Sequence, residues 1–349
     1  MKKHRIALVP GDGVGPEIVP QAIRAIEAVC EPLDVKLDCT EFPWGAGHYK
    51  THGRFMPEDG LEQLAAFDAV LFGAVGLPDV DDTLPAKDYT FKVRTGFQEY
   101  VNYRPVRRFA GVDGPLVAKP PLDFVVIREN CEGEFVQVGS VQNPDAQGGF
   151  AIDTSVFTRA GIERIATYAF GLARTRRHKV TNVTKSNTLI HSLAYWDRVV
   201  EEVAARYEDV EYVRMYVDAA SANFVLRPES FDVILTTNMI GDILSDLGAA
   251  LMGSLGLGGS GNLNPTQEHP SMFEPIHGSA PDIAGRNLAN PIGTIWSGAL
   301  MLDHLGHQGV ERKVLAAVDA ALADGVRTPD LGGTAGTKEM ACAIIERLA

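Results

Sequence analysis

The chain is short of cysteine, of positive charge and of long apolar runs, and each shortage closes off a class of explanation. Four cysteines, Cys30, Cys39, Cys131 and Cys342, are scattered through 349 residues with no C-x-x-C pair. They read as reduced thiols of a cytosolic protein, not as a disulfide framework. Thirty-two Lys and Arg stand against forty-five Asp and Glu, a formal net charge of −13. No surplus of basic charge is left to displace counterions, which argues against a nucleic-acid partner. A local arginine cluster can still override that field for a small anion. No stretch approaches the ~20 apolar residues of a membrane span. The opening MKKHRIALVPGDG reaches Pro10 and Gly11 before a signal-peptide core can form. The expectation is a cytoplasmic protein without a membrane partner.

What is present is an alternation of strand-like and helix-like segments. RIALVP (5–10), AVLFGAV (69–75), DFVVIREN (123–130), HKVTNVTKSN (178–187), VEYVRMYVD (210–218) and FDVILTTN (231–238) have strand character. Helical stretches such as EIVPQAIRAIEAVCEPL and AYWDRVVEEVAARY lie between them. This is the pattern of an α/β protein with a mostly parallel central sheet, whose ligands bind at strand ends. The segment 252–268, rich in Gly, Ser and Asn, reads as a loop or hinge. PGDGVGPE (10–17) carries GxGxG, not the GxGxxG of a dinucleotide-binding unit, and lacks the GK[ST] of a phosphate loop. It reads as a tight strand-to-helix turn with Pro16 at the helix start, bordering a cofactor if it binds anything.

Acids and arginines carry the chemistry. Asp242 and Asp246 stand four apart in GDILSDLG, on one face of a helix packed through Ile243 and Leu244, near its N-terminus. Asp218 ends a strand-like run upstream. Clustered carboxylates suit Mg²⁺ or Mn²⁺. Arg94, Arg104 and Arg128 each adjoin an apolar or extended segment, where a guanidinium needs an acceptor. Each could form a structural ion pair, but three together fit the carboxylates of a small di-acid. Thr90 shares a helix face with Arg94 and would touch the neighbouring substituent. Lys185, flanked by Thr184, Ser186 and Asn187 at a strand end, is a candidate base. In FEPIHGSAPDIAGRNLANP (273–291), small residues permit close approach of an adenine nucleotide, and Asp282 is placed to accept from ribose hydroxyls.

In order along the chain, PGDGVGPE, R…YVNYRP, RENCEGEF, TKSN, GDILSDLG, FEPIHGSAPDIAGRNLANP and RTPDLGGTAGT resemble the isocitrate/isopropylmalate dehydrogenase family, the β-decarboxylating dehydrogenases. RPESFDVILTTNMIGDILSDLG and IWSGALMLDHLG are most similar to its tartrate/D-malate branch. The resemblance implies an isopropylmalate dehydrogenase-like two-domain α/β fold, not a Rossmann fold. One domain would comprise 1–99 with 252–349 and bind the cofactor. The other, 100–251, would carry the metal helix and the dimer contacts. It implies NAD, Mg²⁺ or Mn²⁺, and a homodimer with shared active sites. Lys185 and Asp218 would be catalytic, with Asp218 and the neighbouring subunit's pair Asp242 and Asp246 holding the metal. Arg94, Arg104, Arg128 and Thr90 would bind substrate. Val75, His277, Gly278, Ser279, Ala280, Asp282 and Asn290 would bind the cofactor.

One departure stands out. The family usually has a tyrosine in RENxEGxY, assigned to protonating the enolate carbon, and here the residue is Phe135. Oxidation is expected to survive, with decarboxylation or enol protonation slowed. Tyr103 should point to the face opposite Arg104 and cannot substitute. Thr90, in place of the leucine-rich face of isopropylmalate enzymes, favours D-malate or tartrate over 3-isopropylmalate. A non-catalytic regulatory subunit is the other alternative, but the acids, Lys185 and all three arginines are retained.

Overall fold

Buried apolar runs without alternation build the scaffold, as a sheet covered on both faces requires. A computed structural model describes residues 2–117 and 120–348. Among them are strands β1 (Lys2–Gly11), β2 (Val35–Glu41), β3 (Ala69–Ala74), β4 (Val101–Arg107), β5 (Asp123–Glu129), β6 (Gly133–Gln142), β7 (Phe150–Val156), β8 (Lys179–Thr184), β9 (Glu211–Tyr216), β10 (Val233–Thr236), β11 (Gly259–Leu263) and β12 (Ser271–Pro275). Ten form one sheet in the order β2-β1-β3-β12-β11-β4-β5-β10-β8-β9, while β6 and β7 pair apart. The flanks are parallel: β2–β1, β1–β3 and β3–β12 on one side, β5–β10, β10–β8 and β8–β9 on the other. Antiparallel pairings through β11 and β4 join them. The expected α/β class with a mostly parallel sheet is therefore observed. No helix among the described residues is long and apolar enough to cross a membrane.

Helices clothe the sheet. Ile292–His304 is buried from Ile292 to Leu302 and packs on β11 and β12, with Gly15–Cys30 and Val310–Ala323 against it. Asn238–Met252 lies over β4 and β5 and stops at Gly253, whose φ of 117° is the left-handed ending glycine tolerates.

Three expectations need correction. The stretch 252–268 is not simply a loop: Gly259–Leu263 is a wholly buried strand in mid-sheet. Its small residues let the helix above come close, since a Cβ on Gly259 would stand 2.9 Å from the Cβ of Trp296. The strand before Asp218 ends at Tyr216, so Asp218 lies in the first turn of the helix Val217–Leu226. Asp242 and Asp246 lie beyond the first turn of Asn238–Met252, and the helix is anchored by Leu244, not by Ile243, which is 63% exposed.

Candidate active site

The acidic helix sits on the arginine strands because a glycine lets it. A Cβ on Gly241 would meet Arg128 Cβ at 2.7 Å. With hydrogen there, Arg128 runs under the helix start, its Nε donating to Asn238 Oδ1 at 2.8 Å and its Nη1 to Asp242. Arg104, on the neighbouring strand β4, donates to Ser245 Oγ at 2.8 Å and lies 3.6 Å from Asp242 and 3.5 Å from Asp246. Both guanidiniums are buried while both carboxylates are half-exposed. Burial and the crowding of Arg104 and Arg94 push the Arg128 pKa down, with Asp242 opposing. Burial works against the Asp242 anion, but Arg128, Arg104 and Arg94 hold its carboxyl below the usual range. Asp246 goes the other way, raised by burial and by Asp242 beside it.

Arg94 completes the arginine group and also has an acid partner, Glu274 on β12, at 2.7 Å in a buried ion pair. Asn262 on β11 donates to the same carboxylate oxygen at 2.7 Å. Phe135 faces the group, with the Arg128 guanidinium 5.6 Å from its ring centre and the Phe91 ring 5.8 Å away. Tyr103 turns away: it is half-buried towards Glu311 and Tyr168, and desolvation raises its pKa beyond use.

Lys185 and Asp218 form a second group. They follow the adjacent strands β8 and β9, and Lys185 Nζ donates to Asp218 Oδ1. No ion pair among the described residues links them to Asp242 or Asp246. Within one chain, and among the described residues, no three His, Cys, Asp or Glu side chains converge to hold a metal.

The loop 276–290 lines two cavities. One, about 540 Å³, is walled by Val14, Leu255, Ile283 and Leu288 together with His277, Gly278, Ala280, Asn290 and Asp330. The other, about 410 Å³, brings Val75 and Thr90 together with Gly278 and Ser279. Gly278 lies between the two. The glycine turn borders this loop as expected: Val14 N–H donates to Ser279 O at 2.8 Å, and a Cβ on Gly13 would strike that oxygen. Burial lowers the His277 pKa, keeping the ring neutral. Asp282 is exposed and lines neither cavity, whereas Asp330, missed in the sequence, lines the larger one and accepts from Asn290 Nδ2 at 3.0 Å. Asp330 stands in RTPDLGGTAGT, remote from the 273–291 motif, so only the fold brings it there. Glu274 was missed because its acid stands inside a buried strand and meets Arg94 across 180 positions.

The sequence model described as isocitrate/isopropylmalate dehydrogenase matches residues 5–344. The D-malate dehydrogenase [decarboxylating] of Escherichia coli (strain K12) is 47% identical, over 99% of this chain and 98% of its own. The tartrate dehydrogenase/decarboxylase of Pseudomonas putida is 46% identical, again over 99% and 98%. The crystal structure of isocitrate dehydrogenase from Methylococcus capsulatus superposes with a TM-score of 0.89 at 37% identity, covering 99% of both chains.

Proposed function

The chain belongs to the isocitrate/isopropylmalate dehydrogenase family, and on that footing we propose that it oxidises a small 2-hydroxy di-acid, D-malate or tartrate, using NAD and Mg²⁺ or Mn²⁺. The observation that carries this is the gathering of buried Arg94, Arg104 and Arg128 beside half-exposed Asp242 and Asp246. Buried guanidiniums next to a cleft are fixed anion grips, since their positions cost no reordering when substrate arrives.

The donor set fits a divalent ion. Asp242 and Asp246 offer hard oxygens, and burial, with the Asp242 charge added to it, raises the Asp246 pKa, a cost that a cation would relieve. Asp218 of a second subunit would complete the set. The cavities fit a dinucleotide: the larger is apolar with His277, Asn290 and Asp330 at its rim, within the usual size of roughly 300–1,000 Å³. When bound, the metal would acidify the substrate hydroxyl and the nicotinamide would receive the hydride. Arg94, Arg104 and Arg128 would align the carboxylates, with Thr90 beside the C3 substituent. Lys185 Nζ, steadied by Asp218, would take the hydroxyl proton.

Apolar surface supports a homodimer with shared sites. Ile243 and Met239 on the acidic helix, Val225 and Leu226 on the helix bearing Asp218, and Val138, Val141, Phe150 and Ile152 of the β6–β7 ribbon are all exposed in the single chain. We assign 100–251 as the domain making those contacts and 1–99 with 252–349 as the cofactor domain. The test is NADH absorbance on mixing protein, NAD, Mn²⁺ and a panel of 2-hydroxy di-acids. The expected kcat/KM for D-malate or tartrate exceeds that for 3-isopropylmalate by about tenfold or more. The reverse order would overturn the substrate choice, and silence across the panel would overturn the function.

A further inference from the structure

Behind Arg94 lies a carboxyl group that the proposed reaction does not use. Glu99 follows the helix Phe91–Gly96 and is 0% exposed. Its backbone is pinned twice: its N–H donates to Arg94 O at 2.8 Å, and its carbonyl accepts from Asn130 Nδ2 at 2.9 Å. Neither carboxyl oxygen has a well-formed hydrogen bond, the Met272 backbone N–H being the one donor turned towards the group, and Arg94 Nε and the Tyr89 hydroxyl are also unpartnered. The titratable groups facing Glu99 are Arg94 beside it in sequence, Tyr89 from the preceding turn, Glu274 from β12 and Cys131 from the end of β5. Glu129 and Arg164 stand beyond Cys131.

The charges facing Glu99 do not balance if it ionises. Arg94 is the cation of that set, and it is already committed to Glu274 at 2.7 Å. A second carboxylate, buried with only the Met272 backbone N–H turned towards it, would be a poorly compensated charge, which folded proteins avoid by protonation.

We propose that Glu99 is a positioning residue that works as a neutral carboxylic acid, leaving Arg94 with one carboxylate partner instead of two and so keeping it attractive to a substrate carboxylate. This rests on the assignment of Arg94 as a grip for a di-acid. With Glu99 neutral, the group Arg94, Glu274 and Glu99 sums to zero and an incoming carboxylate meets a guanidinium edge. With Glu99 ionised the group sums to −1. A like charge at close range in a partly buried site weakens anion binding by roughly tenfold or more.

The experiment measures KM and kcat for the accepted di-acid between about pH 6.5 and 9.5, in the wild type and in Glu99→Gln, with NAD and Mn²⁺ saturating. Where Glu99 ionises on the alkaline limb the wild-type KM should rise by about tenfold or more, and where it keeps its proton the KM should stay flat and equal to that of Glu99→Gln. Glu99→Gln should keep the neutral-pH KM and lose that rise, while the kcat profiles coincide. An identical alkaline rise in both proteins, or an elevated KM of Glu99→Gln at neutral pH, would overturn the proposal. So would failure of Glu99→Gln to fold, because the amide is the neutral isostere. If no di-acid is turned over, the function falls but Glu99 can still be judged by thermal unfolding. The native state keeps a proton that the unfolded chain releases, so wild-type stability falls as pH rises. Glu99→Gln should then gain Tm over the wild type by a margin that widens with pH, and a constant margin refutes the neutral acid.

Discussion

Two ion pairs in this molecule are built from the same kind of groups and live under opposite conditions. Arg94–Glu274 is sealed, with side chains 6% and 10% exposed, whereas Lys185–Asp218 is open, at 31% and 63%. The sealed pair is embedded in a polar seam: Asn262 donates to Glu274, and Asn102 and Asn130 donate to Asn262 Oδ1 at 2.9 and 3.0 Å. The open pair sits just past the ends of β8 and β9, on the surface, where ion pairs contribute little to stability. Sealed groups are held in place before any ligand arrives.

The sharpest way to break that contrast is Lys185→Met. Its expected cost is about a thousandfold or more in kcat with Tm almost unmoved, checked by NADH formation and thermal unfolding. A large loss of Tm would place Lys185 in the scaffold instead. Glu274→Gln should do the reverse. Leaving a buried guanidinium without its carboxylate costs about 3 kcal/mol of stability, read from urea unfolding, and raises KM.

A third prediction concerns Glu129, buried at the end of β5 beside Arg164. Burial raises its carboxyl from 4.5 to about 7, although the Glu132 and Cys131 amides donate to it. Its native pKa exceeds its unfolded one, so its penalty is absent below about pH 4.5, grows as pH rises to 7 and is then constant. The loss is roughly 3 kcal/mol, and Glu129→Gln should flatten that part of the stability profile. The proposed sharing of sites gives the fourth: mixing unfolded Lys185→Met with Asp246→Asn and refolding them together should restore about a quarter of wild-type activity, through the one intact site of each mixed dimer. Pure self-sufficient subunits would restore none. The smallest effect is expected of Phe135→Tyr, a few-fold acceleration of the step after hydride transfer, seen in pre-steady-state kinetics and absent if water already serves.

Much of this was legible in the amino-acid order. Continuous apolar runs announced the parallel flanks, and the arginines and aspartates that meet at the acidic helix stand in short local motifs. What escaped depended on partners far along the chain. β11, GSGNL, has few strand-forming residues and is a strand only because β12 and β4 flank it. Ile243 looked like core because periodicity cannot say whether an apolar face meets its own chain or another. Glu99 and Glu274 are ordinary acids until burial removes their water. Asp330 joins its cavity across some forty positions from Asn290, a proximity no local pattern encodes.

Gly241 has a mechanical meaning. With no side chain between backbone and Arg128, nothing compressible separates the helix from β5, so a shove delivered to the aspartates is felt at once by the guanidinium. Carboxylates and arginine travel as a single rigid jaw. Whatever bending admits substrate and releases product has to be sought elsewhere, and an alanine at this one position would pry the jaw open from within.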